Sequence, residues 1–403
     1  MKLQRWISGL MLVYGLAASV ALGDGGYFEP ATVGNLAQTV QKAVIAFHVD
    51  AEQGDTLATY VLQSAYEGSA EEFAWVIPVP GTPTNVIAHE NDDLLAHLER
   101  ITAPRLTFVQ PYDYSTPSGG GGCFCNAVPG VHIEGGGDML GEDNQGVAIE
   151  DRGQAGIFEW VALTSTGSDD LLTWLDENGF AVPEEAEAIL NGYIEEDWHF
   201  LALRVAEPEE SQDSFDEVDI PAIQFTCQTT ERVYPMAISQ VSAAEEAEVL
   251  VYVLAEHRAE AANLGNGVVD RDRVIYDPDG ESKTNYEELL VEIVTENDGL
   301  ALITEYAEGV PGGRDYVPWP EGTDPGVIAL PFLTRMRTVI ARSDMTIDFE
   351  FEDAPEDEAV YENFYITMKR SPDVAGVAGP PLVGVLVFGA FGHWAKRWLR
   401  KRR

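Results

Sequence analysis

Residues 374–395 hold no Asp, Glu, Lys or Arg, and six of the eight residues after them are cations. An apolar run of this length has to be buried in lipid or protein, while the basic cluster behind it stays in water. At about 1.5 Å per residue, about 20 helical residues cross a ~30 Å hydrocarbon core. The segment therefore predicts a transmembrane helix. Leu382, Val383, Val385, Leu386, Val387, Phe388, Phe391 and Trp394 form its anchor, with Trp394 and Trp398 suited to the interface. Pro380 and Pro381 allow two geometries. One is a kinked helix from residue 374; the other is a shorter helix begun at Pro381, with the basic side chains snorkelling outward. The rival is a sorting signal removed after export. A surface amphipathic helix fits less well, because residues 382–391 are apolar all round.

The N-terminus has the order of a secretory signal peptide. Lys2 and Arg5 precede an uncharged apolar stretch at 7–22, and Ala21 and Gly23 stand before a cut between Gly23 and Asp24. A cut after Ala21 is the near alternative. The expected organisation is a signal at 1–23, an extracytoplasmic domain at 24–370, a span at 374–395 and a basic cytoplasmic tail at 396–403. This describes a single-pass protein of the cell membrane whose first partner is the lipid bilayer.

Between residues 24 and 395, sixteen basic residues face all 68 acidic ones, a formal charge of −52. Such a domain repels nucleic acid and anionic lipid, so no nucleic-acid partner is expected. The chain is 45% hydrophobic and 10% aromatic, which is enough to build a core rather than a disordered acidic tail. An acidic, lysine-poor surface also suits a salty medium, where screening weakens self-repulsion.

Residues 43–48 and 57–64 are apolar, β-prone runs around a polar turn and predict a hairpin. Residues 73–80 predict a buried strand ended by prolines, 92–101 a helix, and 105–109 a strand. Residues 116–145 are glycine-rich and predict a long loop. A strand at 156–163 follows, then a helix at 169–177 capped by Ser168 and closed by Asn178 and Gly179. A helix at 184–193 and a strand at 200–205 come next. Residues 223–226, 234–239 and 249–254 repeat the earlier order of hairpin, apolar strand and alanine-rich helical stretch, as two related halves would. Residues 286–296 predict an amphipathic helix; 330–340 suit helix or strand. Strands and short helices interleave without a regular βαβ beat, so the fold class is α+β.

Chemistry-bearing motifs are sparse. The seven histidines form no His-Glu-x-x-His, and neither Gly-x-Ser-x-Gly nor a P-loop is present. Gly265-x-Gly267 reads as a turn. Asp277, Asp279, Glu281 and Glu288 fall at positions one, three, five and twelve of a calcium loop. Ser282 stands where the sharp turn needs Gly, so an acidic turn before a helix competes with calcium there. The cysteines are Cys123, Cys125 and Cys227. In an oxidising compartment Cys227 has Cys123 or Cys125 as a disulfide partner, leaving one thiol over. Trp75 serves either a recognition strand or the core, and Glu305 either chemistry or a structural hydrogen bond.

Several segments in order resemble a bacterial exported family, DUF2330. They are Asp-Gly-Gly-Tyr-Phe at 24–28, Phe-Ala-Trp-Val-Ile-Pro-Val-Pro at 73–80 and Thr-Ala-Pro-Arg at 102–105. Leu-Thr-Trp-Leu at 172–175, Asn-Gly-Phe at 178–180, Tyr193 and Val-Tyr-Pro-Met at 233–236 follow. Tyr286, Thr-Glu-Tyr-Ala at 304–307 and Leu-Thr-Arg-Met-Arg at 333–337 complete the set. The sequence departs from the family where Asp348 is followed by Phe349 instead of Pro. The resemblance implies export and a shared ectodomain fold, and it carries no activity with it. The expected function is a membrane-anchored domain that binds an extracytoplasmic protein or glycan, or serves the envelope structurally. The alternative is a hydrolase of envelope material using two carboxylates.

Overall fold

The computed structural model describes residues 26–28, 37–50, 53–67, 72–89, 93–109, 146–180, 183, 186–206, 218–277, 283–310, 317–361, 363–367 and 385–387. The first part of the chain forms β1 (Gly26–Phe28), β2 (Ala37–Val49), β3 (Thr56–Glu67), β4 (Glu72–Val79), β5 (Thr84–Ala88), α1 (Asp93–Thr102) and β6 (Arg105–Val109). Then come β7 (Val147–Ala155), β8 (Phe158–Ser165), α2 (Ser168–Glu177), α3 (Ala186–Glu195), β9 (His199–Ala206), β10 (Val218–Asp219), β11 (Ile223–Gln228) and β12 (Val233–Tyr234). The remainder holds β13 (Ala243–Ala255), β14 (Ala259–Ala261), β15 (Gly265–Gly267), α4 (Tyr286–Glu296), β16 (Ala301–Gly309), α5 (Pro325–Ala329) and β17 (Phe332–Ala341). The last strands are β18 (Phe349–Asp353), β19 (Val360–Tyr361), β20 (Asn363–Thr367) and β21 (Val385–Val387).

Two large sheets carry the fold. One has the order β1-β4-β9-β8-β7; the other runs β15-β16-β17-β13-β2-β3-β11-β5, with β10 beside β3 and β19 beside β16. Successive side chains of a strand point to opposite faces, and here both faces of each sheet are covered. Tyr27, Phe73, Trp75, Ile77, Phe158 and Leu203 of the smaller sheet meet Ile45, Tyr60, Leu62, Phe225, Val249 and Val251 of the larger. On the smaller sheet's other face, Val76, Leu163 and Phe200 pack under Leu171, Trp174 and Leu175 of α2 and Leu190 of α3. On the larger sheet's other face, Val44, Leu250 and Leu333 pack under Leu94, Leu95 and Leu98 of α1. Farther along that face, Ala301 and Ile303 lie under Tyr286, Leu290 and Val294 of α4. The result is four layers: helices, sheet, sheet, helices. Burial on both sides explains why β2, β4 and β13 read as continuous apolar runs instead of alternating ones.

The mixed strands and short helices agree with an α+β reading, and the 43–48/57–64 hairpin forms as expected, with Ala43 opposite Leu62 and His48 opposite Leu57. Several expectations are corrected. Residues 237–241 form a 3-10 turn, and the alanine- and glutamate-rich start of 243–255 is strand, not helix. Pairing with β17 and β2 on either side outweighs the weak helical propensity there. Residues 332–341 take the extended one of the two forms open to 330–340. Gly265–Gly267 is a strand parallel to β16, not a turn. Gly167, in extended conformation, precedes α2, and no side chain caps that helix; Ser168 is its first residue. The strand ending at Pro80 and the one ending near Leu254 lie in different sheets between different neighbours. β7 was not foreseen, because its sheet-edge sequence Val-Ala-Ile-Glu-Asp-Arg-Gly-Gln-Ala is largely polar and exposed.

The signal segment and the glycine-rich loop lie outside the described residues. Within 374–395 only residues 385–387 are described. They form β21, antiparallel to β6, in place of the expected helical conformation. No helix among the described residues is long and apolar enough to cross a membrane.

Candidate functional site

Two of the domain's few cations sit inside a strand. Arg335 and Arg337 stand two residues apart on β17, so both point to the face covered by α1 and α4. Their neighbour β16 carries an irregularity: Thr304 pairs with Met336 and Tyr306 with Arg335, so Glu305 is an extra, unpaired residue. A bulge of this kind re-aims a side chain, and here it aims a carboxylate at both guanidinium groups. Arg335 Nε donates to Glu305 Oε2 at 2.7 Å, with the two side chains 3% and 0% exposed. Arg337 Nη1 lies 3.6 Å from Glu305 Oε1. Arg337 also grips Glu287 with two parallel bonds, 3.2 and 3.0 Å, and donates through Nε to Glu248.

The surrounding elements complete the cluster. Tyr286, the first residue of α4, donates its hydroxyl to Glu305 Oε1 at 3.0 Å. The Nη1 of Arg335 reaches Tyr252 Oη at 3.3 Å, and Thr102 Oγ1 and the Glu99 carbonyl at 3.4 Å. Those last two acceptors belong to the final turn of α1, whose dipole favours a cation; Glu287 lies in the first turn of α4, whose dipole favours an anion. Lys42 adds an ion pair to Glu99 at 3.4 Å. Three cations thus meet four carboxylates. Burial pulls Arg337 down, but Glu248, Glu287 and Glu305 outweigh it and hold the guanidinium well above its ordinary value. Burial drives Glu287 up to about 7, against the pull of Arg337. Burial raises Glu99 as well, opposed by Lys42 and Arg335. Glu305 exchanges hydrogen bonds within this cluster and is sealed from any substrate.

A second carboxylate, half-buried, stands at the other helical layer. Asp348 Oδ1 accepts from the Tyr193 hydroxyl at 2.7 Å and from the Ala237 amide at 2.8 Å; the Ile238 amide donates to the Tyr193 oxygen at 3.3 Å. Burial raises Asp348 to about 6. This joins α3, the 237–241 turn and the segment before β18.

The residues singled out in the sequence fall in scattered places. Asp277 bonds through its amide to the Lys283 carbonyl, beside a bridge between Tyr276 and Thr284, which brings the two sides of the acidic segment together before α4. Glu288 is exposed on α4; Asp279 and Glu281 lie outside the described residues. Among the described residues no group of His, Cys, Asp and Glu is arranged to hold a metal ion. Cys227 is buried on β11 and its thiol is pushed up to about 12; Cys123 and Cys125 lie outside the described residues. Trp75 belongs to the core, edge-on to Tyr27 and tilted against Phe158. Arg335, Arg337, Glu287, Glu248 and Asp348 were not nominated from sequence. The signal that marks the arginines is their place: two scarce cations alternating with apolar residues in a strand-like run.

No curated protein matches the sequence. Among solved structures, the crystal structure of baculovirus P35 aligns over 78% of this chain and 97% of its own, at 9% identity and a TM-score of 0.34, which does not establish a common fold. Of the residues in the two clusters, Thr102, Tyr193, Tyr286, Glu305, Arg335 and Arg337 also lie in segments that carry the family resemblance. With a family sequence model covering residues 28–352, the chain belongs to DUF2330, uncharacterized proteins conserved in bacteria.

Proposed function

We propose that this is an exported protein held at the cell membrane by its C-terminal segment, with its ectodomain outside the cytoplasm and its basic tail inside. On this reading the ectodomain binds an extracytoplasmic protein or glycan, or serves the envelope structurally, and is not an enzyme. The observation that carries the non-enzymatic part is the state of the converging carboxylates. Glu248, Glu287 and Glu305 are each bound by a guanidinium of the same chain, under α1 and α4. A hydrolase of envelope material needs a raised-pKa acid that its substrate can touch. Glu287 has the raised pKa and lacks the access. Anchorage is supported by the uncharged run at 374–395 and the cations behind it.

Fractionation and intact mass test the proposal together. The protein is expected in the membrane fraction with a mass that includes Arg403, and deletion of 374–403 is expected to release it. A mature mass ending before Val374 would show that the tail is a processed signal. Any hydrolytic activity of the soluble span that disappears with a single carboxylate substitution would overturn the non-enzymatic part.

A further inference from the structure

We infer that the end of the ectodomain formed by β6, β20 and the 268–276 loop rests on the bilayer surface, with Tyr361 and Tyr365 at the level of the lipid headgroups. This deepens the anchorage reading and rests on it. The first support is the tether. β20 ends at Thr367 and the uncharged run begins at Val374, so only residues 368–373 lie between them. Fully extended, that link reaches about 25 Å, less than the ~30 Å thickness of the hydrocarbon core itself. The last strand of the ectodomain is therefore kept close to the membrane that holds the tail. Anchoring the tail requires residues 385–387 to leave the edge of β6, where they pair as β21.

The second support is exposure. Six large hydrophobic side chains are exposed among the described residues, and Val268, Ile275, Tyr361 and Tyr365 are four of them. The neighbours of Val268, Ile275 and Tyr365 build one core. Val269, Val274, Phe364 and Ile366 turn inward with Leu106, Phe108 and Tyr286. Phe108 meets Tyr276 edge-on, and Arg271 donates to the Tyr361 carbonyl. Tyr365, on the outward face of β20, is 78% exposed. A ring left in water beside a buried core is unfavourable unless something covers it. Tyrosine, with an apolar ring and a polar tip, is suited to the boundary between lipid and water.

The test uses the full chain with a genetically encoded dansyl amino acid at position 365, 275 or 49, reconstituted into phosphatidylcholine and phosphatidylglycerol vesicles. Val49 is the control, an exposed apolar residue on the β2–β3 turn. Emission from 365 and 275 is expected to shift to the blue on reconstitution and to be quenched by brominated lipid, while emission from 49 stays as in water. A chain that floats with the vesicles but keeps both 365 and 275 water-like overturns the inference and leaves anchorage standing. A chain that does not float overturns both.

Discussion

Replacing Glu305 with Gln removes one charge from the buried cluster and little else, because Gln preserves the shape and still accepts the Tyr286 hydroxyl. Arg337 keeps Glu248 and Glu287. Arg335 keeps no carboxylate within ion-pair distance among the described residues, and it lies beneath α1 with almost no exposure. Leaving one member of a buried pair uncompensated destabilises by about 3–5 kcal/mol, a large share of the ~5–15 kcal/mol that holds a typical domain together. The assay is urea unfolding of the 24–370 span, followed by tryptophan fluorescence, with variant and parent compared at the same pH. Glu305→Leu combined with Arg335→Met separates a broken pair from a lost contact. Removing both charges leaves no uncompensated ion, so the double variant is expected to be more stable than Glu305→Gln. The reasoning fails if Glu305→Gln unfolds within about 0.5 kcal/mol of the parent, the range of an ordinary surface change. It fails equally if the double variant is no more stable than the single.

Three further outcomes are expected. Glu287 holds its proton up to about 7 in the folded state against 4.5 for the free group, so the folded chain binds more protons between these values. Its contribution is fully present below 4.5, declines as pH rises toward 7 and is level above; over this window it amounts to about 3 kcal/mol. Thermal melts at pH 5 and 8 should show the decline, and Glu287→Gln should flatten it; an unchanged slope in that variant would refute the assignment. Tyr193→Phe removes the hydroxyl donated to Asp348 and is expected to destabilise by about 1.5–3 kcal/mol, the range for a bond to a charged group. An unshifted urea midpoint would show that bond to be unimportant. The ectodomain should gain melting temperature as NaCl or KCl rises to molar levels, because screening acts over about 3 Å at 1 M; a flat or falling profile would reject self-repulsion among its acidic residues as a factor in stability.

Much of the architecture is written locally. The 73–80 run is apolar without alternation because β4 is covered on both faces. The helices at 93–102 and 286–296 show their buried stripes in Leu94, Leu95 and Leu98, and in Leu289, Leu290 and Val294. The turns at Gly54 and Gly179 adopt positive φ, which glycine takes readily. Charge and composition likewise belong to the sequence alone, and so does the family order of short motifs. What tertiary structure decided is which of these segments meet. Nothing in the neighbours of residue 305 says that its carboxylate turns inward; that follows from an extra residue in β16 opposite β17, a matter of register between two strands. Glu287 is one of many glutamates until α4 lies across the sheet and brings it within 3.0 Å of Arg337, fifty residues away in sequence. Residues 243–249 are alanine- and glutamate-rich, and they are strand because β2 and β17 offer hydrogen bonds on both edges. Propensity acts between neighbours in the chain, whereas the buried clusters depend on partners far apart in sequence, and only packing brings those together.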